Sequence, residues 1–270
     1  MVLHLNFYNL RERFIIKMTM KKCFAYISFT FLVFLFVLSC KKDNSSDTNE
    51  QDNQSPVGAS ANAFLSDKLY DEMTLEILYM PSVKPSENSV ENLNNFLSTY
   101  LRKPSGINII IKEITPNSQS EYSIDNLNSI ESSYREEFNE DNKIAASLIF
   151  VDGHYASNNQ VLGVAYKNTS MAIFGKTVSE NSGGLSQPTK TKLESTIMNH
   201  EMGHLLGLVN LGTPMVENHE DTEHGKHCEN EECLMYYAAE TTEIASFLIG
   251  NNIPNLDQNC KDDLIANGGK

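Results

Sequence analysis

From about residue 64 onward, apolar positions fall into blocks whose length and period separate strands from helices. TLEILYM (74–80), INIIIKEI (107–114) and ASLIFV (146–151) are short apolar runs, and each predicts a strand. VLGVAY (161–166) and MAIFGKTV (171–178) predict two more. Apolar spacing at Val90, Leu93, Phe96 and Leu97 predicts a helix over residues 89–102, and SIDNLNSIESSYREEF (123–138) predicts a second. The order β-α-β-α-β-β-β, feeding one further long helix, implies an α/β (α+β) fold: a mixed, mostly parallel sheet with helices packed on it. The two strands joined by KNTS (167–170) are expected as an antiparallel pair at or near one sheet edge.

The long helix is expected to begin near Pro188, with Thr191 and Glu194 spaced as a capping box. Leu193, Ile197, His200, Glu201, His204 and Leu208 then share one face, and Gly207 marks a left-handed exit. Beyond Gly207 no regular pattern returns until NLDQNCKDDLIANGG, whose middle predicts a short helix ended by Gly268 and Gly269.

Residues 41–62 are polar and aperiodic, which predicts a flexible tether. Ahead of them, MKKCFAYISFTFLVFLFVLSC, starting at Met20, has two lysines, an apolar run and Ser39 before Cys40. Val37-Leu38-Ser39-Cys40 resembles a bacterial lipobox, which implies cleavage before Cys40 and acylation of that cysteine. Acyl chains would then hold the protein on a membrane. An uncleaved N-terminal anchor is the alternative. The chain therefore divides into residues 1–39 (extension and signal, with a start at Met20), 40–63 (lipidated cysteine and linker) and 64–270 (one folded domain). An exported lipoprotein of the outer membrane, on its periplasmic or cell-surface face, is expected. A chain of 270 residues with a net charge of −14 lacks the clustered cations that nucleic acid requires. No internal repeat is present, and a monomer is expected.

The chemistry lies in HEMGHLLGLVN (200–210). On a helix, His200 and His204 project from one side, close enough for both imidazoles to reach one Zn²⁺ at about 2.0–2.1 Å. Glu201 beside them is placed to take a proton from a water whose pKa the metal lowers to roughly 7. A pair of solvated histidines is the plainer alternative, and the core-facing register argues against it. Five of the seven histidines lie between residues 200 and 227, which also disfavours an ordinary polar loop.

The string His200-Glu201-Met202-Gly203-His204-Leu205-Leu206-Gly207 resembles the metzincin metalloproteases, whose HExxHxxGxxH signature is followed by a Met-turn. Asn210 stands where that signature has its third histidine. Further on, HCENEECLM (227–235) is similar to the HCx₄CxM continuation of archaemetzincins, displaced here by an insertion. The resemblance covers roughly residues 70–270 and implies a zincin-like fold with an irregular C-terminal part. It implies His227 as the third zinc ligand, with His219, His224 and Asn210 as competitors. It also implies Met235 as the apolar floor of the site, and Tyr237 as a catalytic group that ligates the resting zinc or steadies an oxyanion. Glu220 and Asp221 in the insertion are candidates for a further cation.

With Cys40 assigned to the lipid, the resemblance implies a second, structural zinc on Cys228, Cys233, Asp257 and Cys260, Asp257 replacing a cysteine. A Cys228–Cys233 disulfide with Cys260 free is the alternative. The implied activity is peptide hydrolysis by a lipid-anchored zinc metallopeptidase, an endopeptidase rather than an exopeptidase, with Glu201 as general base. A peptide substrate would add to VLGVAY as an edge strand, and Gly163 would admit its backbone. The competing reading is an inactive metzincin-fold binding protein that carries a structural or captured metal.

Overall fold

The computed structural model describes residues 53–244, 248 and 252–270. Among these the order is α1 (Ala61–Leu65), β1 (Glu72–Tyr79), α2 (Glu87–Tyr100), β2 (Gly106–Glu113), β3 (Glu121–Tyr122), α3 (Ile124–Tyr134), β4 (Lys143–Val151), β5 (His154–Tyr155), β6 (Gly163–Lys167), β7 (Ser170–Phe174), α4 (Gly175–Glu180), α5 (Lys190–Leu205) and α6 (Gln258–Ala266). The main sheet runs β2-β1-β4-β7-β6. Its first four strands are parallel, and β6 returns antiparallel to β7 at the edge, as the KNTS hairpin requires. β1 and β4 are buried almost throughout, which is why they read as continuous apolar runs. β2, on the opposite edge, is only partly buried. Among the described residues no helix is long and apolar enough to cross a membrane.

Three expectations are corrected. The second helix stops at Tyr134, four residues before the expected end at 138. Arg135 leaves the helix in extended conformation and turns its guanidinium inward. There it donates to Glu131 at 2.7 Å, to Thr169 at 3.1 Å and to the Ala145 carbonyl at 3.2 Å. The backbone N–H groups of Glu136 and Glu137 donate to the Glu76 carboxylate, which fixes the chain as extended. MAIFGKTV likewise divides: its strand ends at Phe174 and Gly175 begins α4. A β-carbon on Gly175 would lie 2.4 Å from Val83 Cγ1, so the bend needs glycine.

The tether is also shorter than its composition suggests, because residues 53–63 belong to the folded body. Asn53 is buried and accepts from the Thr169 hydroxyl, the Ser55 carbonyl accepts from the Asn168 amide, and Ser60 accepts from the Asn168 side chain. Asn and Ser serve here as fixed hydrogen-bonding partners, a use that composition does not distinguish from solvation. Residues 1–52, on which the expected signal and the expected lipidation of Cys40 fall, lie outside the described residues.

The ion pair of Arg135 and Glu131 has side-chain exposures of 1% and 6%, and Lys167 also reaches Glu131 at 3.0 Å. Removing one partner strands buried charge. Glu131→Gln is therefore expected to cost about 3–5 kcal/mol, read as a lower urea midpoint at unchanged slope. An unchanged midpoint would show that the network is energetically idle.

Candidate metal centre

Helix α5 is capped two residues earlier than expected. Thr189 is the N-cap, its hydroxyl accepting from the Lys192 amide at 3.2 Å. Glu194 does not reach back to Thr191. Its carboxylate accepts from the Ser86 amide and the Ser89 hydroxyl, both at 2.9 Å. A negative charge thus sits at the N-terminus of α2, where the helix dipole favours it, and ties the two helices together. Residues 192–205 of α5 are all buried. Gly207, at φ +78°, turns the chain away, and a β-carbon there would lie 2.5 Å from the Thr213 amide nitrogen.

His200 and His204 project from α5 with ring centroids 4.7 Å apart, and His227 closes the triangle at 5.3 and 5.2 Å. The Nε2 atoms of His200 and His204 are 3.1 Å apart. Backbone carbonyls set the ring orientations. His200 Nδ1 donates to the Leu234 carbonyl at 2.8 Å, and His227 Nδ1 donates to the His224 carbonyl at 2.7 Å. A carbonyl only accepts, so each Nδ1 carries a proton and each Nε2 faces the shared space, where Glu240 raises the pKa of His227 against the effect of burial. Met235 follows Leu234 and lies beneath the helix: a β-carbon on Gly203 would lie 2.4 Å from its sulfur.

Glu201 stands beside the triangle, fully buried; neither oxygen has a hydrogen bond of good geometry among the described residues, and the Ala165 amide of β6 is the backbone donor that approaches it. Burial, and then the charge of Glu240, push its pKa well above the usual carboxylate range. Burial, and then His227, hold His200 down at about 4, and burial holds His204 well below its ordinary value, so both imidazoles are neutral at pH 7. Gly163 has a different role from the one expected. Its absent β-carbon would lie 2.6 Å from Ile197 Cγ2 and 3.0 Å from Glu201 Oε1, so it makes room for the helix.

The remaining candidates separate. Asn210 is exposed and donates to Glu220 at 3.0 Å, away from the triangle. His224 pairs with Asp221 at 2.7 Å and stacks on Tyr237 at 3.6 Å, contributing its carbonyl and not its ring. Asp221 also accepts from the Glu223 and His224 amides, and Glu220 accepts from the Lys226 amide, so both acids brace the insertion. The Tyr237 hydroxyl donates to Glu243 at 3.1 Å, which raises its pKa to about 12. Glu240, absent from the sequence-based candidates, does join the triangle: its carboxylate lies 3.6 Å from His227 Nε2, 3.8 Å from His200 Nε2 and 4.0 Å from His204 Nε2. Nothing local in YYAAE signals this, since the contact is made only by folding.

His219 belongs to a second cluster. Its Nε2 meets the Asp263 carboxylate at 2.8 Å, and its Nδ1 faces Cys228 Sγ at 3.4 Å. Cys228, Cys233 and Cys260 are buried and free, with the last two sulfurs 3.6 Å apart, so the Cys228–Cys233 disulfide is not formed. Hydrogen bonds from the Cys228 and Cys260 thiols draw Cys233 down to about 4, which favours a thiolate. Asp257 contacts Cys228 Sγ at 3.3 Å, while its other oxygen caps α6 through the Cys260 amide at 2.9 Å.

Both clusters suit a divalent metal. Donor atoms of His200, His204, His227 and Glu240 lie within 4.8 Å of one another, as do those of His219, Cys228, Asp257 and Cys260. His227 Nε2 and both Glu201 oxygens are buried without hydrogen bonds of good geometry, an arrangement that costs about 1–3 kcal/mol per group unless something coordinates or uses them. Imidazole nitrogen with carboxylate, and thiolate with imidazole, are both zinc-favouring donor sets.

No protein-family model matches the sequence, and no curated protein does. Solved structures do. Metalloproteinase-II from Bacteroides fragilis is similar at a TM-score of 0.42 and 15% identity, over 75% of this chain and 54% of that one. Archaemetzincin from Methanopyrus kandleri is similar at a TM-score of 0.50 and 16% identity, over 73% of this chain and 96% of that one. With its mostly parallel sheet, antiparallel edge strand and helix bearing the paired imidazoles, this chain has the archaemetzincin fold.

Proposed function

We propose that this protein is a zinc-dependent metallopeptidase that hydrolyses peptide bonds at the three-imidazole centre, acting as an endopeptidase. One observation carries the reading: three buried imidazoles converge beside a fully buried carboxylate. His200, His204 and His227 would hold the metal. Zinc bound there would polarise a carbonyl and lower the pKa of water to roughly 7. Glu201 takes the attacking water's proton and returns it to the leaving amine, a role that its raised pKa suits. The outer edge of β6 offers main-chain groups to an extended peptide. Met235 keeps the floor of the site apolar and dry.

The sulfur cluster is proposed as a second, structural zinc site formed by Cys228, Cys233 and Cys260. His219, steadied by Asp263, supplies the fourth donor, with Asp257 as its competitor: one Asp257 oxygen caps α6 and the other lies 3.3 Å from Cys228 Sγ. Metal analysis of the purified protein is expected to find two zinc ions per chain, falling to one in Cys233→Ser. A peptide-library digest should show cleavage at internal bonds. Zinc bound with no cleavage would instead support the captured-metal reading, and a protein that takes up no zinc would refute both.

Export and anchoring through Cys40 are part of the proposal and rest on the lipobox-like sequence alone. Palmitate labelling of cells should mark the wild type and not Cys40→Ala, and equal labelling would remove the anchor from the account.

A further inference from the structure

Glu240 reaches the imidazole triangle from a segment that also holds the sheet edge. Its backbone carbonyl accepts from the Leu162 amide at 2.8 Å, and the Thr242 amide donates to the Gln160 carbonyl at 2.9 Å. Val161 and Thr241 form an antiparallel bridge. Glu240 ends a 3-10 turn over Tyr237–Glu240, and the chain leaving it touches residues 160–162, which lead directly into β6, through one isolated bridge. An extended peptide adds to an edge through main-chain pairing of the same kind. The same segment brings Glu240 Oε1 to 3.6 Å from His227 Nε2 and Oε2 to 3.8 and 4.0 Å from the Nε2 atoms of His200 and His204.

These separations are close to those of shared coordination. Two donors that each lie about 2.0–2.1 Å from one zinc in tetrahedral array are about 3.3 Å apart. Closing Glu240 Oε2 by about 0.5–0.7 Å on His200 and His204 brings it to that spacing. Carboxylate oxygen is an accepted zinc donor, and its charge offsets the metal's where three neutral imidazoles do not. Glu201 does not compete for this place, because Gly163 and Ile197 hold it against β6.

We infer that Glu240 is a fourth protein donor, closing the centre with three imidazoles and one carboxylate, and that it is released when a peptide strand displaces residues 240–242 from the sheet edge. The inference rests on the three-imidazole metal centre proposed above and adds to it how access is controlled. Two main-chain hydrogen bonds hold the segment to the edge, between the buried Ala239 and Ile244, and a peptide strand can replace both bonds. Substrates are thereby selected for the ability to adopt an extended strand of several residues, since a shorter ligand cannot both pair with the edge and dislodge Glu240.

Cobalt-substituted protein tests this without recourse to activity. Visible spectra of wild type, Glu240→Gln and Glu240→Ala are compared, each with and without azide. The sulfur cluster contributes equally to all three and cancels in the differences. Both variants are expected to show shifted cobalt bands and cobalt binding at least about tenfold weaker. Azide should perturb the variants and leave the wild type unchanged. Identical spectra and identical azide responses in all three proteins would overturn the role of Glu240 while leaving the imidazole centre standing. Cobalt uptake that His227→Ala does not diminish would overturn the centre itself, and this inference with it.

Discussion

Glu201→Gln should lower peptide hydrolysis by about 10²–10⁴-fold while the protein keeps its full complement of zinc. The change is nearly isosteric, so helix α5 and the contacts of Gly163 and Ile197 with this side chain persist. What is lost is the ability to take a proton. Glu201 is aimed by its neighbours, and the one backbone amide that approaches it, that of Ala165, can be accepted equally by the amide oxygen of glutamine. Its pKa is raised, which means the folded state binds its proton more tightly than the unfolded chain does. The ionised form therefore subtracts from stability as pH rises, and removing it should leave the melting temperature unchanged or higher. A variant that loses both activity and zinc would identify Glu201 as a ligand. One that retains activity would remove it from the chemistry.

The second large effect separates two histidines of the same insertion. His227→Ala should weaken zinc binding at the imidazole centre by at least about 10²-fold and abolish hydrolysis. His227 is one of three imidazoles that the described residues bring to that space, and its Nδ1 is already used to orient it. His219→Ala should leave that zinc in place and release the other, because its ring lies between Asp263 and Cys228. Loss of the sulfur-bound zinc would also loosen the insertion, since the Cys228 amide donates to the Met235 carbonyl and the Asp221 amide to the His227 carbonyl. A reduced melting temperature with residual activity is the expected signature of His219→Ala. The opposite order of zinc loss would exchange the two assignments.

Much of this architecture is legible in the chain, for identifiable reasons. β1 and β4 are buried on both faces and so are written as unbroken apolar runs. His200, Glu201 and His204 lie within five residues, and helical spacing alone brings them together. The failures are equally local. Thr189 and Thr191 are both plausible caps, and only the contact of Glu194 with Ser86 and Ser89, more than a hundred residues away in sequence, decides between them. In MAIFGKTV the apolar pattern continues across a strand end that Val83 imposes from outside. Arg135 is a charge of the kind that normally marks a solvated helix end, yet it is drawn inward by Glu131. Glu240 is one carboxylate among 35 acidic residues, distinguished only by the pairing of its backbone with Leu162.

Anomalous scattering at the zinc edge, recorded from crystals of the purified protein, tests the central claim most directly. The account predicts a peak bounded by the Nε2 atoms of His200, His204 and His227, with Glu201 adjacent and uncoordinated. Absence of a peak at that triangle, or a peak coordinated by Glu201 or Asn210 in place of His227, would contradict it.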